Sequence, residues 1–279
     1  MKKIALMCDS SADITSSEAK ELDIHVLRMP IVVDGKEYIE DETIDDTMIS
    51  NALNQGLSVK TSQPVLGDML MMWEDLLKEY DEVFYIPLTY ALSGTCNSAL
   101  QLAKQFDGRV TVLNSTFVCY PVVNMLLTAR AMFEKGYTPQ QVKEKFEDEG
   151  EMLAIIIPKN LMTLKNGGRI SPAAASLAGL LKIHPLLSVD HGAIDVVGKV
   201  RTLKKAYLEG INYVIKDINT DDYDWMIIDA NNREVSDQFK VYLEGLVHQP
   251  VEQRSFRSII LSHTGPGTVA FGRIKKIKF

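Results

Sequence analysis

The chain has 279 residues, which is about two domains at roughly 150 residues per domain. Thirty basic and 37 acidic side chains give a formal charge of -7, and 46% of the residues are apolar. This composition is typical of a soluble globular protein with enough apolar material for a core, and it argues against disorder. An acidic chain without a strong basic patch is repelled by phosphates, so we do not expect a nucleic acid partner.

The cysteines and the hydropathy exclude several classes of protein. Cys8, Cys96 and Cys119 are odd in number and widely spaced, so neither a disulfide framework nor a zinc site is expected. The apolar run after Lys3 ends at Asp9 and is too short for the core of a signal peptide. No stretch approaches the ~20 apolar residues of a membrane span. We therefore expect a cytoplasmic protein without stable membrane insertion.

The first half of the chain alternates predicted strands and helices. Strands are predicted over 3–8, 83–86 and 110–113, and helices from 16 and over 45–53, 66–80, 93–106 and 122–133. Asp34-Gly35 stands between two extended runs and predicts a β-hairpin. Strand and helix alternation of this kind predicts a parallel sheet with helices on both faces.

The pattern changes in the second half. Thr138 and Pro139 are the predicted cap and first residue of a helix that runs into the acidic segment 147–151, the best candidate for a domain boundary. We expect one domain over residues 1–155 and a second over 156–279. The second half has more adjacent strands, with strands predicted over 153–157, 183–189, 194–200, 225–228 and 258–261 and helices over 202–215 and 234–246.

The usual catalytic and metal-binding motifs are absent from the sequence. It contains no phosphate-binding loop, dinucleotide fingerprint or serine-hydrolase elbow. The five histidines include no pair with metal-ligand spacing, and Asp190-His191 with His184 is more typical of a solvated loop than of a metal cluster. We expect no catalytic residue, no metal and no cofactor.

Loops rich in hydroxyl groups and glycine remain at the ends of predicted strands, where ligands bind in an open parallel sheet. They are Thr61-Ser62-Gln63-Pro64, Leu92-Ser93-Gly94-Thr95, residues 165–172 around Gly167-Gly168-Arg169, and Ser262-His263-Thr264-Gly265-Pro266-Gly267. Ser-Gly-Thr at a helix start offers hydroxyls and backbone N–H groups to an anion. Taken singly, Ser93 could be a plain helix cap, His263 a loop residue and Arg169 an exposed residue of a hairpin.

Together these loops resemble the signatures of the DegV family. Two further segments match it, Cys8-Asp9-Ser10-Ser11-Ala12-Asp13-Ile14 and residues 180–187. The six matches run in order from residue 8 to residue 267, so the resemblance covers nearly the whole chain. The sequence departs from the family at His184, where a lysine is usual, and at Tyr90-Ala91, where the family has a serine-rich stretch.

The resemblance implies an α/β fold with an N-terminal three-layer α/β/α domain, containing a parallel sheet, and a C-terminal two-layer α/β domain with a mixed sheet. It also implies a long-chain fatty acid buried in a tunnel between the domains. The family includes the fatty-acid-binding subunit of bacterial fatty acid kinase, which presents the bound carboxylate to a separate ATP-dependent kinase subunit. The resemblance therefore implies a carrier, not an enzyme, with a fatty acid kinase subunit as its partner.

The binding residues of the family carry over onto matching positions. Thr61 or Ser62, Ser93 and His263 would hydrogen-bond the carboxylate, and Arg169 would lie beside them. Gly94 and Thr264 belong to the same two loops, and Arg201 falls where the family has a basic residue assigned to partner docking or phosphate handling. The apolar segments offer candidates for the tunnel lining, although a core position is the better interpretation of any one of them. The candidates are Met125, Leu126, Leu127, Leu161, Met162, Leu177 and Leu181.

The implied binding is chemically consistent, but two alternatives stay open. A carboxylate that enters an apolar tunnel must recover hydrogen bonds, and burial of the acyl chain contributes ~0.8 kcal/mol per CH₂. One alternative is a hydrolase with Ser93 as nucleophile and His263 as base, although no acidic partner for the histidine is evident. The other is a binding module for a different small anion.

Overall fold

The computed structural model describes residues 2–179 and 183–279. The elements of the first half are β1 (Ile4–Asp9), α1 (Ser16–Glu21), β2 (Ile24–Leu27), β3 (Pro30–Val33), β4 (Lys36–Ile39), α2 (Asp46–Asn54), β5 (Val59–Thr61), α3 (Leu66–Glu79), β6 (Glu82–Ile86), α4 (Thr95–Leu102), β7 (Val110–Val112), α5 (Tyr120–Glu134) and α6 (Pro139–Glu149). Two predicted helix starts are confirmed, since Asp45 caps α2 and Thr138 forms a capping box with Gln141 at α6.

Four strands of the first half form a parallel sheet in the order β2-β1-β6-β7. Alternate residues of β1 point to opposite faces. Leu6 and Cys8 belong to the same core as α5 and α6, whereas Ala5 and Met7 pack with α3 and α4. The predicted three-layer α/β/α arrangement is confirmed.

A small antiparallel sheet, in the order β4-β3-β5, carries one of the predicted loops to the middle of the molecule. Asp34 and Gly35 connect β3 to β4 with φ values of 49° and 85°, as the predicted hairpin requires. Strand β5 pairs with β3 and ends at Thr61. The first of the four loops therefore begins where this small sheet ends.

The second half forms a mixed sheet covered by helices. Its elements are β8 (Met152–Ile157), α7 (Leu161–Gly167), α8 (Pro172–Ser176), β9 (His184–Asp190), β10 (Ala193–Val200), α9 (Leu203–Ile215), β11 (Tyr223–Asp229), α10 (Arg233–Val247), β12 (Val251–Ser255), α11 (Ser258–Thr264) and β13 (Val269–Lys275). The strand order is β10-β9-β8-β13-β11-β12, with β11 and β12 parallel and the other neighbours antiparallel.

The two faces of this mixed sheet serve different purposes. Ile155, Ile227 and Phe271 point to one face and share a core with α9 and α10, which completes the predicted two-layer α/β arrangement. Ala154 and Gly272 point to the opposite face, toward the first half of the chain. Residues of this second face form one wall of a cavity.

The strand predicted over 258–261 is wrong, because these residues begin helix α11. Ile259 and Leu261 lie on nearly opposite sides of α11 and are both buried, and Ser258 and Ser262 are buried as well. A helix surrounded by protein shows no polar face, so its period cannot be distinguished from that of a buried strand in so short a run. Strands β12 and β13 were not predicted, and β13 lies near the centre of the sheet.

The predicted division after residue 155 stays a prediction. Strand β8 pairs with β13 from Met152 onward and belongs wholly to the mixed sheet. We propose a division before β8, because a boundary within a paired strand would separate residues that share one ladder. No helix among residues 2–179 and 183–279 has the length and hydropathy to cross a membrane.

The carboxylate of Asp9 joins β1 to β6 and to the turn that follows β1. Its Oδ1 accepts hydrogen bonds from the backbone N and the hydroxyl of Ser11, at 3.0 and 2.5 Å. Its Oδ2 accepts from Leu88 N at 2.8 Å and from the Tyr85 hydroxyl at 3.3 Å. The carboxylate is fully buried, and burial raises its pKa. In the motif formed by residues 8–14, Asp9 therefore has a structural role.

We expect Asp9→Ala to lower the free energy of unfolding by about 2–4 kcal/mol, because it leaves buried N–H groups without an acceptor. Urea unfolding followed by circular dichroism measures this change. Asp148→Ala is the control, since Asp148 is exposed near the end of α6 and we expect its removal to change stability by less than about 0.5 kcal/mol. Equal stability of the two variants would contradict the role given to Asp9.

Candidate functional site

A cavity lies between the two halves of the chain. It contains about 980 Å³ of space that protein atoms do not fill, counting its open mouth. Its apolar lining consists of Met29, Leu88, Leu92, Val118, Cys119, Pro121, Met152, Ala154, Ile156, Leu164, Val189, Ile194, Met226, Ile228, Phe256, Ile259, Ile260, Ala270 and Gly272.

The polar side chains of the lining come from all four predicted loops. They are Thr61, Ser62, Gln63, Ser93, Arg169, His263 and Thr264. The structure thus brings together six of the seven residues that the resemblance implied for ligand binding, with Gly94 adjacent to Ser93. Gln63 belongs to the first loop but is not among the predicted site residues. Its position between Ser62 and Pro64 was the available signal.

His263 connects the two halves at the polar end of the cavity. It lies in the last turn of α11, and its Nε2 is hydrogen-bonded to the hydroxyl of Thr61 at 2.7 Å. The ring also packs on Gly167 at the end of α7, where a Cβ would lie 2.5 Å from Nδ1. Glycine at 167 is therefore required by the close approach of the imidazole, and it is not a flexible turn residue.

Burial and a neighbouring cation keep His263 neutral. Loss of solvation, with a further contribution from the Arg169 guanidinium, lowers the pKa of His263 to about 4. Its Nδ1 is buried and has no hydrogen-bond partner among the described residues. An unpaired polar atom in an apolar cavity is costly, so this nitrogen is available to a group that enters the cavity.

The second loop contributes the start of α4. Gly94 precedes the first residue of α4 and makes no side-chain cap, whereas the Ser93 hydroxyl accepts from a backbone N–H of the first turn, so Ser93 serves the helix start as the alternative interpretation expects. The Ser93 hydroxyl is 2.8 Å from the Thr95 hydroxyl and accepts from Thr95 N at 3.2 Å. A Cβ on Gly94 would lie 3.1 Å from Oε1 of Gln63, so the loops at residues 61–64 and 92–95 are in contact.

The other predicted site residues differ in whether their side chains are free to contact a ligand. Arg169 is exposed and donates to the carbonyl of Gly167 at 2.6 Å, which places its charge at the mouth of the cavity. The hydroxyl of Thr264 donates to Ile260 O at 3.0 Å and is engaged within α11. Arg201 lies on an exposed turn between β10 and α9 and is not part of the lining.

A charged cluster anchors the start of α11. Arg257 forms ion pairs with Asp41, at 2.9 Å, and with Asp46, while the Ser258 hydroxyl donates to Asp46 at 2.6 Å. The backbone N of Arg257 also donates to the buried carboxylate of Asp13 at 3.0 Å. Because these acids belong to the first half of the chain, they set the position of α11 and therefore of His263.

None of the described candidates for the apolar lining borders the cavity, and most of them belong to the core, which is the favoured interpretation of each. Met125, Leu126 and Leu161 are core residues, Leu127 and Leu177 pack against the same core, and Met162 is exposed. Leu181 lies outside the described residues. Hydropathy along the sequence identified apolar helices, but nine of the 19 apolar lining residues belong to strands of the mixed sheet. Alternate residues of β8, at positions 152, 154 and 156, were the signal that could have located it.

The geometry gives no support to a serine nucleophile. Ser93 is hydrogen-bonded to Thr95 and His263 to Thr61, whereas a nucleophile requires a hydrogen bond to its base and a third group that orients that base. No group of three His, Cys, Asp or Glu side chains within 2–179 and 183–279 is arranged to hold a metal ion.

We expect His263 in the ligand-free protein to titrate at about pH 4, measured by NMR of its ring protons. Arg169→Gln should raise this pKa, because a nearby cation disfavours the imidazolium. Lys165→Gln, which removes a charge from the exposed side of α7, is the control and should not move it. Since the folded pKa lies below the unfolded value near 6.5, His263 reduces stability as pH falls from about 6.5 to about 4. A pKa that does not respond to Arg169→Gln would contradict this assignment.

Comparison with known proteins identifies relatives along the full length of the chain. The family model described as "Uncharacterised protein, DegV family" matches residues 3–276. A DegV domain-containing protein from Listeria monocytogenes is 30% identical over 278 residues, covering 97% of this chain and 98% of the relative. The structure of a fatty acid binding DegV family protein from Streptococcus agalactiae has a TM-score of 0.86 at 28% identity, covering 99% of this chain and 100% of that one. The structure of DegV from Bacillus subtilis, described as a fatty acid binding protein, has a TM-score of 0.86 at 26% identity and the same coverage. The chain belongs to the DegV family.

Proposed function

We propose that this protein binds one long-chain fatty acid in the cavity between its two halves and acts as a carrier of that acid. The observation that carries the proposal is the distribution of polar groups in the cavity. The polar side chains come from four loops that contact one another, while the rest of the lining is apolar. A ligand with one polar head and one apolar chain satisfies such a cavity, whereas a small anion would leave most of its apolar surface empty.

The carboxylate would be held by neutral donors at the polar end. Ser93 supplies a hydroxyl, and the hydrogen-bonded pair of Thr61 and neutral His263 supplies one further donor, because one of their two protons lies between them. Arg169 is the nearby cation. Hydrogen bonds to a charged acceptor are stronger than neutral ones, and they offset the loss of water that the head suffers on entry. The acyl chain contributes ~0.8 kcal/mol per CH₂ that it buries.

Arg169 and Arg201 also support presentation of the bound head to a partner. Both guanidinium groups belong to exposed residues, and neither forms an ion pair within the described residues. We assign Arg169 to the mouth of the cavity and Arg201 to docking of an ATP-dependent fatty acid kinase subunit. In this function the partner supplies ATP and metal, and this chain contributes the substrate without catalysing phosphoryl transfer.

Extraction of the purified protein with organic solvent, followed by mass spectrometry, tests the ligand. We expect about one long-chain fatty acid per chain, because a cavity with this apolar lining retains such a molecule through purification. The control is a sample unfolded and washed before extraction. A protein that is purified empty and that takes up no added fatty acid would reject the proposal, and recovery of another bound anion would replace it.

We expect Ser93→Ala and His263→Ala each to weaken fatty acid binding roughly 10- to 100-fold, which corresponds to the loss of about 1.5–3 kcal/mol for a hydrogen bond to a charged group. Displacement of a fluorescent fatty acid measures the affinity. Ser98→Ala is the matched control, because Ser98 lies in the same helix α4 but outside the cavity lining. If both variants bind as tightly as the control, the roles of Ser93 and His263 are wrong.

We expect the purified chain to hydrolyse no ATP and to leave its fatty acid unphosphorylated, because no carboxylate cluster stands beside a nucleotide loop in the sequence. Acyl phosphate formation, trapped with hydroxylamine, measures the reaction. With ATP present, addition of a bacterial fatty acid kinase subunit should produce acyl phosphate, and Arg201→Ala should lower the amount that is produced. Acyl phosphate made by the chain alone would contradict the assignment as a carrier.

A further inference from the structure

The floor of the cavity contains a row of side chains that crosses five strands of the mixed sheet. Each residue of the row pairs with the next one across the sheet, and all five belong to the cavity lining. In order from β10 to β11 they are Ile194, Val189, Ala154, Gly272 and Met226. With neighbouring strands about 4.8 Å apart, the four steps of the row span roughly 19 Å.

One end of this row lies beside the polar end of the cavity. The carbonyl of Ile194 accepts a hydrogen bond from Ser171 N at 3.2 Å, and Ser171 follows Arg169 by two residues. The pair Ala154 and Gly272 stands two and three strands further along the row, roughly 10–14 Å from Ile194. A chain whose head lies near Arg169 would therefore reach this pair with its distal half.

The pair is the lowest part of the floor. Alanine and glycine present one methyl group and none, whereas Val189 and Met226 on either side present branched or long side chains. The backbone at Gly272 does not require glycine, since its φ lies outside the left-handed region. An added Cβ would lie 3.3 Å from Ala154 Cβ and 3.3 Å from Met226 Cγ. What glycine provides at this position is space in the cavity.

We propose that Ala154 and Gly272 set the length of the acyl chain that this cavity accepts, with the chain lying across β9, β8 and β13 over the pair. This inference rests on the proposed binding of a fatty acid. Three bonds of an extended chain reach ~3.6 Å, so each bond advances about 1.2 Å. The roughly 19 Å length of the row therefore equals the length of about sixteen bonds of an extended acyl chain. The ligand class that fits is a saturated, straight-chain, long-chain fatty acid.

The test compares Gly272→Ala, which fills the lowest part of the floor, with Ala154→Gly, which deepens it. A graded series of saturated fatty acids is titrated into each delipidated protein, and the extracted lipid of each is measured by mass spectrometry. We expect Gly272→Ala to favour shorter acids, with the longest ones bound more weakly by roughly four-fold for each methylene that no longer fits. Ala154→Gly should shift the preference toward longer acids.

Gly210→Ala is the matched control. Gly210 lies in α9 on the opposite face of the same sheet, where an added Cβ would lie 3.1 Å from Ile155 Cγ2 and from Ile157 Cδ1. It adds the same methyl group with similar crowding but leaves the cavity unchanged, so its chain-length preference should equal that of the unsubstituted protein. The thermal unfolding temperature of each variant is measured as well. A loss of stability reports crowding within the protein, whereas a changed chain-length preference at unchanged stability reports a change in the cavity.

The outcomes separate this inference from the proposed function. Fatty acid bound with an unchanged length preference in both Gly272→Ala and Ala154→Gly would overturn the inference and leave the proposed function intact. No fatty acid in any variant, including the unsubstituted protein, would overturn both. Because Ala154→Gly crowds nothing, its result decides the inference even if Gly272→Ala fails to fold.

Discussion

Helix α11 is the element on which the candidate site depends, because it is fixed to the first half of the chain at both of its ends. Arg257 pairs with Asp41 and Asp46 just before the helix begins, and His263 bonds to Thr61 in its last turn. Ion pairs that are largely shielded from water require well-placed partners. The position of the imidazole is therefore determined by contacts with both halves, and the cavity lies where those contacts bring the halves together.

The electrostatics of the cavity follow from this arrangement. The chain carries a formal charge of -7, so its overall field does not attract an anion. In the proposed function an anionic head must therefore be recognised by local donors, and His263 is held neutral by burial and by Arg169. A neutral imidazole with an unsatisfied Nδ1 can hydrogen-bond a carboxylate without adding a buried charge that would need its own partner when the cavity is empty.

Local sequence patterns located most of the helices and strands because each carries its own signal. Asp45 and Thr138 cap helices, Asp34-Gly35 forms a hairpin, and the apolar runs of β1 and β6 are buried strands. The signal failed at α11, a short helix whose residues are buried or half-buried on every side. It also failed for the cavity lining, because hydropathy reports that a residue is buried without reporting whether it packs against protein or against a cavity.

The sequence by itself determined that the chain is an acidic α/β protein and that four loops, at residues 61–64, 92–95, 165–172 and 262–267, carry its distinctive polar residues. Only the tertiary structure decided that these loops meet at one end of one cavity. Thr61 and His263 are 202 residues apart, and no local rule specifies a contact over that separation. The depth of the cavity was likewise decided by pairing across the mixed sheet, which places Ala154 beside Gly272.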